Sequence, residues 1–574
     1  MRRDPPRLTT DEIDRYIRTY VSLLRSSGEV PVRGMEEAHM YSESALHEGA
    51  REPRPDVAAF AYSAGRLPSC LTRVRLVVLG QSHESFEQAG LQVRDWPSAR
   101  ARGRRRPMRW DGQGTVAVFI ASVSDIDDLV PILCAWQIEW NKMHHRLVGT
   151  ELGRRIAHWK SGPLAVDDAQ LEEALGIDAH GLSMLKAALA EGWDEGLREL
   201  ARRPSDLSIR LLSGSFSQYQ RAAHRWWSGI EPAYLREQRP KRRPVYFVSS
   251  NMHALVNLLG GYPRAHREQI VAFARDKNPE GLADLLQDAL AAKDEAAVAN
   301  MTYYLLRAFL REGGSSIDAR VEGVQRWELE AGIRSVDQPG RIDVGAQLID
   351  LSRLIPARLD PRVAVPGLEA LAKSDAVIIN IDYPLGMAAY HHLSRLAQGV
   401  GELRGVYVMG KAATLNGRVG DVMISKTVHD EHSGNTYLFD NALTAADVQP
   451  YMREGSVLDN QRAVTVRGAF LQNREYMGAF YQEGYTVLEM EAGPYLSGAR
   501  ELVSPTRHPE NEIVNLCSDP PFDLGFLHYA SDTPYSRRQS LLSKSLSFFG
   551  VDSTYACAIA IVRRILAQEV ARLG

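Results

Sequence analysis

Cysteine is scarce in this 574-residue chain: Cys70, Cys134, Cys517 and Cys557 lie far apart, with no Cys-x-x-Cys pair. That spacing argues against a disulfide framework or a cysteine zinc site and points to a reduced, cytoplasmic setting. Long apolar runs are missing too. Nowhere do about eighteen uninterrupted apolar residues occur, the minimum for a spanning helix, so a soluble protein with no membrane partner is expected. The start, Met1-Arg-Arg-Asp-Pro-Pro6, leads into Asp- and Arg-containing sequence rather than an apolar stretch, and no secretory signal is read there. An excess of either charge is absent: 68 Lys and Arg against 71 Asp and Glu leave a net charge of -3, which names no partner. Metal-ligand spacings are lacking as well. His144-His145 and His391-His392 are adjacent pairs, which on a helix diverge by about 100°, and neither has a carboxylate or cysteine at ligand spacing. Neither metal nor cofactor is expected, and there is no internal repeat or low-complexity tract.

What is there is an ordinary globular balance, 44% hydrophobic and 24% charged, on a chain longer than one core normally serves, so two domains are the starting expectation. Residues 10 to 27 pattern as an amphipathic helix. Arg75 to Gly80 and Thr115 to Ala121 are apolar strands, the second leading into a helix that runs to about His145 with Asp125 as its N-cap. Short apolar strands alternating with helices imply a parallel sheet. Residues 151 to 235 read as helices. The basic, proline-marked Arg236 to Pro244 reads as a joint, dividing an accessory α/β domain (1-240) from a second domain (245-574).

After the joint come the strand Val245 to Val248 and a helical run from about 264 to 312, taken as part of an insertion over about 264-330. Residues 313 to 360 carry no firm pattern. From 375 the α/β signal returns: Asp375 to Ile381 is a strand, Met387 to Gln398 a helix, Val406 to Met409 a strand, and Ser553 to about Leu573 a final helix. The basic run Arg100-Ala-Arg-Gly-Arg-Arg-Arg-Pro-Met-Arg109 invites a nucleic-acid reading, since clustered arginines neutralise phosphates. It lacks interleaved aromatics, however, and the chain is slightly acidic, so a solvated or partner-facing loop is preferred, with nucleotide-phosphate binding next and nucleic acid disfavoured.

Four blocks stand in order over roughly residues 375 to 574: Tyr383-Pro-Leu-Gly386 before a helix, Gly410 with Gly420-Asp421, Ala469-Phe-Leu471, and Glu489-Met-Glu491 with Ser531-Asp532. In this order they resemble the nucleoside phosphorylase and nucleosidase superfamily, which includes purine nucleoside phosphorylase, methylthioadenosine nucleosidase and AMP nucleosidase. The resemblance implies a three-layer α/β domain with a mixed central sheet, an enzyme that cleaves the N-glycosidic bond of a purine nucleoside or nucleotide with water or phosphate, and a homo-oligomer.

Breaking such a bond builds positive charge on the sugar while negative charge flows onto the base. The site therefore needs an acid at the base and acceptors at the sugar hydroxyls. By resemblance, Asp532 is the acid, with Ser531 beside it, and Glu491 binds the ribose hydroxyls. Met490 packs under the sugar and Glu489 supports it. Phe470, with Leu471 beside it, stacks on the base, and Gly410 lies in a loop close to the ribose. Two departures mark the nucleophile side: Lys411-Ala-Ala-Thr414 replaces the usual serine and glycines, and His528 stands for an arginine. Lysine and histidine there could hold an anion or position water. The alternative is a sensor that keeps the base and ribose contacts without turnover, and Ser249-Ser-Asn-Met-His253, at a strand's C-terminal end, is a further candidate ligand loop.

Overall fold

The computed structural model describes residues 11-26, 28-103, 106-160, 166-235, 242-312, 317-517, 520-533 and 549-574. The sequence expectations that rest on Met1 to Pro6, on Arg104 and Arg105 and on residues 236-241 of the joint fall outside them.

The chain is α/β, built on two mixed sheets. The smaller has six strands, β1 (Val30–Pro31), β2 (Leu76–Gly80), β3 (Ser98–Ala99), β4 (Met108–Trp110), β5 (Thr115–Phe119) and β6 (Ser208–Leu211), in the order β1-β6-β2-β5-β4-β3. Its centre, β6-β2-β5, is parallel. Every residue of β2 is buried, which is why it reads as a continuous apolar run rather than an alternating one. The edges β1 and β3-β4 are antiparallel and only two or three residues long, too short to leave a periodic signal.

The larger sheet comprises β7 (Val245–Ser249), β8 (Ile333–Val336), β9 (Ala346–Asp350), β10 (Val377–Ile381), β11 (Leu403–Thr414), β12 (Val422–Asp430), β13 (Asn435–Leu438), β14 (Val457–Thr465), β15 (Val487–Glu489), β16 (Ile513–Asn515) and β17 (Asp523–Asp532). β7 runs parallel between β11 and β10. The unpatterned stretch before residue 360 supplies the antiparallel edge β9-β8. β17 pairs with both β11 and β12, while β12-β14, β14-β15 and β15-β11 also pair. Five strands thus close a ring, β11-β17-β12-β14-β15, within an otherwise open sheet.

The principal helices are α1 (Asp11–Ser26), α2 (Val57–Arg66), α3 (Val123–Leu147), α4 (Phe216–Leu235), α5 (Glu295–Arg311), α6 (Met387–Gly399), α7 (Ala492–Val503) and α8 (Phe549–Leu573). The N-cap of α3 is Ser122 rather than Asp125. Asp125 sits three residues into the helix and reaches back in a capping box, accepting from Ala121 N at 2.6 Å and Ser122 N at 3.2 Å. That geometry satisfies two amides outside the helix and leaves the other carboxylate oxygen for Arg106 at 2.9 Å.

Each half of the molecule lends one element to the other. α4, ahead of the joint, buries Trp226, Trp227, Ile230 and Tyr234 against the larger sheet, and Trp226 Nε1 donates to Val344 O at 2.8 Å. In return, Phe470 and Leu471 sit in the core of the smaller sheet's half. Three large aromatics and one phenylalanine, at roughly 1.5-3 kcal/mol for each fully buried side chain, bind the halves together through more than a surface contact. The helical run expected over 264 to 312 is not continuous. It breaks at Asn278, which is left-handed (φ 42°), and again at Lys293 (φ 54°).

Candidate functional site

The C-terminal ends of β2, β5, β7, β10 and β11 open on one cavity of about 1810 Å³. Its floor is set by strand register. Along β11 and β17, Gly410 pairs with His528, Lys411 with Tyr529 and Ala412 with Ala530, but Ala413 pairs with Asp532. Ser531 is therefore an extra residue, a bulge. Successive side chains of a regular strand point to opposite faces, and a bulge re-aims one of them. Here both Ser531 and Asp532 line the cavity. The Ser531 hydroxyl is within hydrogen-bond range of Ala412 O at 3.3 Å and of Asp532 Oδ2 at 2.8 Å, so it braces the carboxylate.

Glu489 and Glu491 divide their work. Glu489 is 3% exposed, and its Oε2 accepts from the backbone N–H groups of Glu491 at 2.6 Å and Ala492 at 2.7 Å, while Thr465 donates to Oε1. It is consumed in fixing the turn from β15 into α7. Burial pushes its carboxyl up to about 7, against the hydrogen bonds that favour the charged form. Glu491 is the N-cap position of α7, partly exposed, and with Met490 it lines the cavity. Burial holds the Tyr383 and Tyr495 hydroxyls well above their ordinary value, and the nearby Glu491 charge adds to it.

Gly410 lies inside β11, not in a loop after it, because β17 and β15 carry the ladder on to Thr414. Its lack of a side chain serves a close approach: an added Cβ would come within 3.3 Å of the Tyr383 ring. Tyr383 opens the Tyr-Pro-Leu-Gly turn, which is fastened to the smaller sheet's half. Ser122 donates to Leu385 O at 3.3 Å, Met387 N donates to Ser124 Oγ at 2.9 Å, and at Gly386 (φ 51°) a Cβ would collide with Ser124. Lys411 lines the cavity and is accessible to solvent. Crowding by its neighbours lowers its ammonium below the ordinary value, and the Asp532 charge pulls it back.

Of the residues expected at the site, Gly410, Lys411, Glu489, Met490, Glu491, Ser531 and Asp532 meet on this cavity. Phe470, Leu471 and His528 are not among its lining residues. The Phe470 ring lies 5.9 Å from that of His39, 6.3 Å from His47 and 5.3 Å from Tyr62, a core position rather than a stacking platform. His528 is 2% exposed, with Nε2 3.9 Å from Glu489 Oε2. Burial lowers its imidazole to about 4, so it is neutral near pH 7 and offers no charge to an anion. Asn251 and His253 do line the cavity.

A further part of the lining comes from the smaller sheet's half and draws on the basic run. Tyr62, Arg66, Arg102 and Arg106 from the smaller sheet's half line the same cavity. The sequence signal for it is the basic run, read first as a solvated or partner-facing loop and next as a nucleotide-phosphate site. Arg106 is instead 7% exposed and donates to Asp125 and Asp128, each at 2.9 Å.

A family profile described as a family of unknown function, DUF6909, matches residues 32–567. No curated protein matches the chain. Among solved structures, the chain is similar to the 5′-methylthioadenosine/S-adenosyl homocysteine nucleosidase of Campylobacter jejuni, at 11% identity over 43% of this chain and 94% of that one, with a TM-score of 0.29. The corresponding nucleosidase of Neisseria meningitidis, in complex with methylthio-immucillin-A, is 14% identical over 42% and 92%, with a TM-score of 0.27. Purine nucleoside phosphorylase of Toxoplasma gondii, in complex with immucillin-H, is 11% identical over 44% and 88%, also at 0.27.

Proposed function

Because the chain belongs to DUF6909, a family of unknown function, its activity has to be read from its own cavity, and we propose that this cavity cleaves the N-glycosidic bond of a purine nucleoside or nucleotide. The observation that carries the reading is the bulge in β17, which turns Ser531 and Asp532 onto the cavity that Met490 and Glu491 also line. Asp532 gives a proton to the base as the bond breaks and its electron pair moves onto the ring. Glu491 accepts hydrogen bonds from the ribose hydroxyls and favours the positive charge developing on the sugar. Glu489 holds the turn that aims Glu491. Water or phosphate attacks the sugar carbon near Lys411. A reduced cytoplasmic setting and a homo-oligomer accompany this reading.

Incubation with AMP, adenosine, guanosine and inosine, with and without phosphate, tests it. Base release from at least one substrate is expected, and phosphate dependence separates phosphorolysis from hydrolysis. The second reading, a nucleotide sensor without turnover, is favoured by the neutral, enclosed His528 on the nucleophile side. Tight calorimetric binding with no base release from any of the four would establish the sensor over the enzyme.

A further inference from the structure

At about 1810 Å³ the cavity exceeds the roughly 300-1,000 Å³ of ordinary small-molecule sites, and a nucleoside on the Asp532-Glu491 side leaves much of it open. Its lining on the smaller sheet's half includes Arg66 and Arg102. Arg66 ends α2, its guanidinium 3.4 Å above the Tyr62 ring and its Nη1 donating to Tyr62 O at 3.2 Å. Arg102 donates Nη1 to Ala187 O at 2.9 Å. The two are brought together by Gly103 N donating to Gly65 O at 2.7 Å, an approach so close that a Cβ on Gly103 would come within 3.4 Å of the Arg66 side chain.

Carbonyl acceptors orient these guanidinium groups without neutralising them. The acids on the same wall are committed elsewhere: Glu48 pairs with Arg474 at 3.0 Å, Asp56 caps α2 through Ala59 N at 3.0 Å, and Asp125 holds Arg106. Among the described residues no carboxylate forms an ion pair with Arg66 or Arg102. Two guanidinium groups that carry no ion pair among the described residues, each oriented by a carbonyl and beside open volume, suit a phosphate, since each keeps planar N–H donors for phosphate oxygens.

We infer that the ligand is a nucleotide rather than a nucleoside, with its phosphate group running from the ribose across the cavity to Arg66 and Arg102. The inference rests on the glycosidic reading for where the base and ribose sit, but not for whether turnover occurs. In it, the smaller sheet's half completes the binding site instead of merely accompanying it.

Calorimetry on the full chain with adenosine, AMP, ADP and ATP, and with guanosine and its phosphates, tests this directly. At least one phosphorylated form is expected to bind about tenfold or more tightly than its nucleoside, with inorganic pyrophosphate competing. Arg66→Gln with Arg102→Gln should bring that ratio toward one, with the melting temperature recorded to confirm folding. Equal affinity for nucleosides and nucleotides in the wild type, or an unchanged ratio in the folded double variant, overturns the inference. The wild-type series stands even if the variant does not fold. A protein that prefers nucleotides but releases no base refutes cleavage and supports the phosphate wall. One that releases base from adenosine and AMP with equal kcat/KM supports cleavage and refutes the wall.

Discussion

The two sheets face one cavity with opposite chemistry. The larger presents the carboxylates Glu491 and Asp532 on a rim of closed strands, and the smaller presents the guanidinium groups of Arg66 and Arg102 on a helix end and a loop. They also differ in how position is enforced. Asp532 is aimed by backbone register, paired with Ala413 of β11 just past the bulge, whereas Arg102 is aimed by a single hydrogen bond to a carbonyl and Arg66 by a carbonyl and the Tyr62 ring. In the proposed reading, the group that must reach one atom of a substrate is the one set by strand register. On the same reading, groups proposed to meet a phosphate, with several equivalent oxygens, tolerate a looser hold.

Four changes would break or sharpen that contrast. The largest effect is expected from Asp532→Asn: loss of its proton should cut kcat for base release by about 10²-10⁴-fold with a smaller change in nucleoside affinity than Glu491→Ala gives. Steady-state kinetics paired with calorimetry would read this, and near-normal turnover would remove Asp532 from the acid role. Phe470→Ala should cost about 3-5 kcal/mol of stability, measured by denaturant unfolding, while KM for a good substrate barely moves. A large KM change in a folded variant would return Phe470 to the base. Glu491→Ala should raise KM and lower kcat together, by roughly tenfold for a lost charge-assisted hydrogen bond.

The smallest effect is a pH dependence. Burial raises the Glu489 carboxyl to about 7 from an ordinary 4.5, so the native state binds its proton more readily than the unfolded chain. That contribution is fully present below pH 4.5 and is lost as pH rises to about 7. Glu489→Gln cannot ionise, so the melting temperature of the wild type relative to this variant should increase as pH falls from about 7 to 4.5. A difference that stays flat across that window would contradict the raised value.

The central strands and the acid pair were legible because each is local. β2, β5, β7 and β10 are apolar runs, and Glu489-Met-Glu491 and Ser531-Asp532 are short motifs in a fixed order. For Phe470 the sequence leaves core and base platform evenly placed, because what decides its role, the rings of His39, His47 and Tyr62, lies more than four hundred positions earlier in the chain. His528 looked available because a histidine in a motif advertises chemistry, whereas its burial follows from pairing with both Gly410 and Met423. The bulge at Ser531 is a relation between two strands and has no sequence signature of its own. The arginine wall was visible as charge, but only the tertiary fold says that Arg106 is taken by two aspartates and Arg102 is not.

The strand ring also orders events during folding. Gly410 pairs with His528, and β12 waits for the same late strand, so the acid side of the cavity cannot exist until the chain has been synthesised past residue 532. Until then β11 carries an open edge beside β7, the kind of unpaired template on which chains associate, and the long loop between partners must be closed before any of their contacts form. Assembly of this cavity is therefore a late event, and a chain cut short before β17 is left with an aggregation-prone edge where Asp532 should be.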